Sequence, residues 1–195
     1  MIIGYELFGW DNKSHMTGSC EKLFPELIHI PRCKFCGYRT DYRYNNPEFI
    51  LKRKGFDFSS TYDGIEIVSL RFKQFCEKNL YKNLVFIPLL KDPNYFQLYI
   101  QDNIIEYIAQ RSENLCSSCG RYESVIGPTI NLDNINEPLK DGFYKSDLWF
   151  ASGNEKSPIT IIAPETFRKM KTEKFKGTGG AISIEKKTNF TKNKA

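Results

Sequence analysis

Cys33-Lys34-Phe35-Cys36-Gly37 and Cys116-Ser117-Ser118-Cys119-Gly120 are two copies of one five-residue pattern in a chain of 195 residues. A two-residue spacer lets two thiolates converge on one ion, because the backbone between them curls and turns its N–H groups toward the sulfurs. The glycine that follows can take the positive φ needed to leave so tight a turn. Two such knuckles supply four soft ligands, Cys33, Cys36, Cys116 and Cys119, which is the donor set of a closed tetrahedral zinc site. The expected cofactor is one structural zinc, with no coordination position left for water or substrate. A thioredoxin-like redox pair would need a single CxxC opening a helix, disulfides would need an oxidising compartment, and two separate metal sites would each need two further ligands. The shared site is preferred over all three. Its knuckles lie farther apart than in a local zinc ribbon, so the metal is expected to clamp distant parts of the chain.

The remaining metal-capable residues have simpler expected roles. Cys76 falls on an apolar stripe with Phe72, Phe75 and Leu80 and reads as core; Cys20 reads as a buried thiol or a loop residue. His15 and His29 lack the paired spacing of a metal site and read as structural.

Reading outward, an internal repeat emerges at an offset of 95. Ile67-Val68-Ser69-Leu70-Arg71-Phe72-Lys73 lies over Ile162-Ala163-Pro164-Glu165-Thr166-Phe167-Arg168, and Phe75, Leu80 and Ile87 then fall on Met170, Phe175 and Ile182. Each copy predicts a short strand, a helix of about three turns with apolar residues three and four apart, and a second strand at Val85–Pro88 or Ala181–Ile184. The expected fold is therefore α+β: two degenerate strand-helix-strand halves, about 33–89 and 116–185, each preceded by a CxxCG knuckle and joined by the zinc. Together they would form one domain over 1–187, with a flexible basic tail over 188–195. Ile2–Phe8 is a predicted opening strand, Tyr95–Ile100 and Ile104–Ala109 a predicted hairpin, and Tyr122–Ile130 a further strand. Asn46-Pro47 is expected to start a short helix reaching about Lys52, and 132–142 reads as a loop. Gly177-Thr178-Gly179-Gly180 resembles a phosphate cradle, but no Gly-Lys-Ser/Thr follows, so a helix-to-strand turn is expected there.

Charge narrows the partner classes. The net charge is +5, yet residues 167–195 carry nine Lys or Arg against two acids, while 1–166 carry 19 basic and 21 acidic side chains. The basicity belongs to the end of the chain at +7 and the body stands at −2, which disfavours a globally basic nucleic-acid surface. No apolar run approaches the roughly 20 residues of a membrane helix. The opening Met1–Lys13 lacks the basic start and apolar stretch of a secretory signal, so a soluble, cytoplasmic chain is expected. No Ser/His/Asp or Cys/His arrangement, paired-carboxylate pattern or nucleotide fingerprint stands out, so neither a catalytic residue nor a further cofactor-binding residue is assigned.

The run Leu27-Ile28-His29-Ile30-Pro31 into the first knuckle, the strand and helix around Ile67–Phe75, the second knuckle, and Ser146-Asp147-Leu148-Trp149 followed by Ile161–Arg168 span nearly the whole chain. In these features the sequence resembles the bacterial double-CXXCG motif proteins, of myxobacterial type, associated with immunity to polymorphic toxins. The resemblance implies a protein that binds one secreted toxin domain and blocks it without catalysis of its own; a monomer or weak dimer is expected. The alternative is a zinc-ribbon-like nucleic-acid-binding protein.

Overall fold

The computed structural model describes residues 1–27 and 29–186; the expected tail at 188–195 lies outside the described residues. In chain order the elements are β1 (Ile2–Asp11), β2 (Phe58–Ser60), β3 (Glu66–Ser69), α1 (Leu70–Lys78), β4 (Leu84–Pro88), β5 (Tyr95–Ile100) and β6 (Ile104–Ile105). They continue with β7 (Tyr107–Leu115), β8 (Tyr122–Ile130), β9 (Phe143–Ser152), a single 3-10 turn at Gly153–Glu155, β10 (Ser157–Ile162), α2 (Pro164–Glu173) and β11 (Thr178–Glu185).

This overturns the expected class. The two strand-helix-strand runs exist as β3-α1-β4 and β10-α2-β11, but they are not the halves of an α+β domain. With 41% strand and 12% helix among the described residues, the fold is mainly one curled mixed sheet, a half-barrel to which two short helices are added. Its main path runs β4-β5-β3-β2-β1-β10-β9-β8-β7, with β11 added to β1 and β6 to β9. Within the first run β5 separates β3 from β4, pairing antiparallel with both. In the second, β10 and β11 both pair antiparallel with β1. The repeat therefore captures local chain order and misses the pairing, which is set by strands far away in sequence.

The sheet is covered on both faces along its centre, and alternation sorts the side chains. In β3, Ile67 packs with Met16, Tyr42, Phe49, Leu51 and Leu89, while its neighbour Val68 joins Phe58, Phe72 and Leu98. In β10, Ile161 packs with Ile3, Val125 and Phe150, while Ile162 faces Leu7, Phe143 and Met170. Continuous apolar runs such as Ile161-Ile162 are what two-sided burial requires. Both helices share one of these cores, α1 through Phe72, Phe75 and Cys76 and α2 through Met170. Burying a ring such as Phe72 is worth about 1.5–3 kcal/mol.

Local chemistry sets the helix ends. Ser69 caps α1, its hydroxyl accepting from the Phe72 N–H, while Pro164 occupies the first turn of α2, where its missing N–H costs nothing. The alignment at offset 95 fails where the helices stop. Leu80 has φ +60 and is 73% exposed, while Phe175, over which it was aligned, is 7% exposed; Tyr81 takes the inward position instead. Two other expectations change. Asn46 starts no helix; its side-chain oxygen accepts from the Glu48 N–H and closes a turn. β5 and β6 form no hairpin, because β6 pairs parallel with β9. The turn at Gly177, with φ +85, leads from α2 into β11 as expected.

Candidate metal centre

The four predicted ligands come together. The Sγ atoms of Cys33, Cys36, Cys116 and Cys119 all lie within 4.8 Å of one another, and this group could hold a metal ion. Cys33 Sγ is 3.9 Å from Cys116 Sγ, and Cys36 Sγ is 3.9 Å from Cys119 Sγ, so each knuckle contributes one sulfur to each close pair.

The two knuckles are built alike. The N–H of Cys33 donates to the Tyr38 carbonyl and that of Cys116 to the Arg121 carbonyl, both at 2.9 Å. Inside each turn the Gly37 and Gly120 N–H groups donate to the Cys33 and Cys116 carbonyls, again at 2.9 Å. Gly37 has φ +78 and Gly120 φ +67; a Cβ would meet nothing within 4 Å at either position, so the requirement for glycine is backbone conformation alone. The second knuckle is the turn of the β7–β8 hairpin. The first is a small hairpin closed by the Arg32–Arg39 bridge ahead of β2.

The thiols are not equivalent. Backbone hydrogen bonds from Cys36 and Phe35 hold the Cys33 thiol down to about 6, and those from Cys119 and Ser118 lower Cys116 in the same way. Burial pushes Cys36 up to about 12, with the neighbouring sulfurs adding to it. In each knuckle the first thiol thus has its pKa lowered by backbone hydrogen bonds, which favours the thiolate form that binds a cation.

A third segment, between β9 and β10, seats both knuckles. The Arg39 N–H donates to Asn154 Oδ1 at 2.9 Å, and Arg39 Nη2 donates to the Asp63 and Lys156 carbonyls at 2.6 and 3.0 Å. On the other side, Lys156 Nζ donates to the Tyr122 and Glu123 carbonyls, both at 2.7 Å. Lys156 is only 7% exposed; burial lowers its pKa, and the Cys36 and Glu123 charges oppose that shift. The residue after each glycine also reaches across. Tyr38 donates its hydroxyl to Glu123 at 2.8 Å, and Arg121 donates to the Arg39 carbonyl at 3.4 Å. Asn114 holds the second Glu123 oxygen at 2.8 Å.

Between Cys36, Cys119, Arg39, Arg121 and Lys156 lies a cavity of about 10 Å³, the size that admits one water molecule. The Arg39 guanidinium is 4% exposed, sits over the Tyr42 ring, and leaves Nε and Nη1 without a protein partner. Three cationic side chains therefore border the sulfur cluster, where they offset the charge of thiolates.

Arg39, Lys156, Asn154, Tyr38 and Glu123 were not found from sequence. Asn154-Glu155-Lys156 reads as an ordinary polar loop. The one available clue was the 83-residue offset between the knuckles, which sets Tyr38 over Arg121 as equivalent residues. The other expectations hold in part. Cys76 is in the core, and Cys20 is half-buried with its thiol donating to the Ser152 carbonyl. His15 stacks near Tyr62 and His29 is exposed; neither joins the cluster. No helix among the described residues is long and apolar enough to cross a membrane.

No protein-family model matches the chain, and no curated protein is significantly similar to it.

Proposed function

We propose that this chain is an immunity protein: a zinc-clamped β scaffold that binds one secreted bacterial toxin domain and neutralises it without catalysis of its own. The convergence of four cysteines from two CxxCG knuckles 83 residues apart supports it, since the doubled knuckle is the main element of the resemblance. Zinc suits the donor set. Four sulfurs at the usual zinc–sulfur distance sit at tetrahedron corners about 3.8 Å apart, against the 3.9 Å of the two close pairs. Such a shell has no open position and supports shape rather than reaction. Four thiolates and a divalent cation would make the mildly acidic body of residues 1–166 more negative, which suits a basic partner.

Co-expression with the toxin domain encoded beside this gene is expected to restore growth and to yield a one-to-one complex by size-exclusion chromatography. Loss of both would overturn the reading. One observation favours the nucleic-acid alternative: Phe35, between the first two cysteines, is 76% exposed and could stack on a base. That alternative predicts binding that falls steeply with salt, and a titration with single-stranded DNA and RNA at low salt decides it.

A further inference from the structure

The metal centre leaves unused a cleft of about 280 Å³ where the β2–β3 hairpin faces β10. Its lining combines two kinds of surface. Leu7, Phe8, Phe150 and Ile159 give apolar walls, and Glu66 brings a carboxyl group together with the hydroxyls of Ser60, Ser157 and Thr160. No Lys or Arg side chain lines it, and Glu66 takes part in none of the ion pairs among the described residues.

We propose that this cleft is the receptor for one lysine or arginine side chain of the protein partner, with the stem against Phe8 and Phe150 and the cationic head on Glu66 and its neighbouring hydroxyls. The inference rests on the toxin-binding reading and deepens it. Three observations point to this occupant. An aliphatic stem ending in a cation is amphipathic in the same sense as the cleft. At 280 Å³ the volume falls below the roughly 300–1,000 Å³ of sites that hold a whole small molecule, and the cleft is open to solvent on one side, so the rest of its occupant lies outside it. The carboxyl group has no cation of its own, and it belongs to a body of net charge −2. Burial pushes Glu66 up to about 7; this unfavourable environment is relieved when a cation arrives.

The test uses the full chain and two probes. N-propylguanidinium, titrated into isotope-labelled protein, is expected to give saturable NMR shifts centred on Ser60, Glu66, Ser157 and Thr160, and Glu66→Gln, which conserves volume, is expected to abolish them. With the toxin domain, Glu66→Gln is expected to weaken the complex on the order of thirtyfold, while Glu165→Gln, in the first turn of α2 and outside the cleft lining, leaves it unchanged. A complex that forms with undiminished affinity in Glu66→Gln overturns the cleft and leaves the immunity reading standing. If no complex forms with the wild-type protein, the immunity reading falls; saturation by the guanidinium probe would then assign the cleft to a free small-molecule cation and overturn a protein side chain as its occupant.

Discussion

The Tyr38 hydroxyl donates to Glu123 at 2.8 Å across 85 residues of sequence, a direct side-chain bond between the two knuckle-bearing segments. The bond has reciprocal electrostatic effects: Glu123 pushes the phenol up to about 12, while Asn114 and Tyr38 hold the carboxylate below its usual range. Tyr38→Phe removes this bond and keeps the ring beneath Lys156. The expected cost is about 1 kcal/mol in urea unfolding, with bound zinc unchanged. Loss of zinc in Tyr38→Phe would show that the bond positions the cysteines rather than merely joining their segments.

Lys156 is expected to matter more than any single surface charge. It is buried and satisfies two carbonyls of the strand that leaves the second knuckle. Lys156→Met retains most of the stem and strands both acceptors, at an expected cost of about 2–4 kcal/mol. Zinc affinity, measured by competition with a chromophoric chelator, should fall with it, because the charge beside Cys36 and Cys119 is lost. Unchanged affinity in a folded variant would refute this assignment.

Replacing Cys36 or Cys119 by Ser should lower zinc content and stability together, since metal binding and folding are coupled in such sites. A fall in Tm on the order of 10 °C is expected for a loss of several kcal/mol in a chain of this size. Cys20→Ser serves as the control and should leave zinc content unchanged, because Cys20 lies outside the four-sulfur group. Elemental analysis of the purified proteins alongside thermal melts decides the point.

Glu66 provides a pH test of stability. Its folded pKa is about 7 against an ordinary 4.5, raised by burial. The folded state therefore holds the proton more tightly than the unfolded state. Any stability this confers is complete below about 4.5 and is lost as pH rises through 7. Glu66→Gln should thus gain on the wild type between pH 5 and 8, by up to about 3 kcal/mol. Parallel stability curves across that range would refute the shift.

How much of this was legible follows from range in sequence. The knuckles were readable because two ligands per turn lie three residues apart, and α1 and α2 because their apolar periodicity is local. β1, β4, β8 and β11 were also found in outline. What failed was pairing. Nothing near Ile67 or Val85 shows that β5 comes between their strands, and nothing near Ile104 shows that its partner is Lys145 on β9. The helices were the clearest pattern in the chain, which made α+β attractive, but they cover one core of a molecule whose other contacts are cross-strand. Likewise, the four sulfurs could be proposed from spacing, whereas Arg39 and Lys156 act through backbone carbonyls and leave no residue pattern.

An ion bridging Cys33 and Cys116 has a topological effect as well, because the knuckles enclose β2 through β7. Four metal–sulfur bonds would turn that stretch into a closed ring, leaving β1 before it and β8 to β11 after it. The excluded segments still find each other, since β1 pairs with both β10 and β11. By analogy with a covalent cross-link, closing a ring of this size removes unfolded-chain entropy worth about 4–5 kcal/mol. Much of the metal's effect would then fall on the unfolded chain, which would be left with a tethered loop and two free arms.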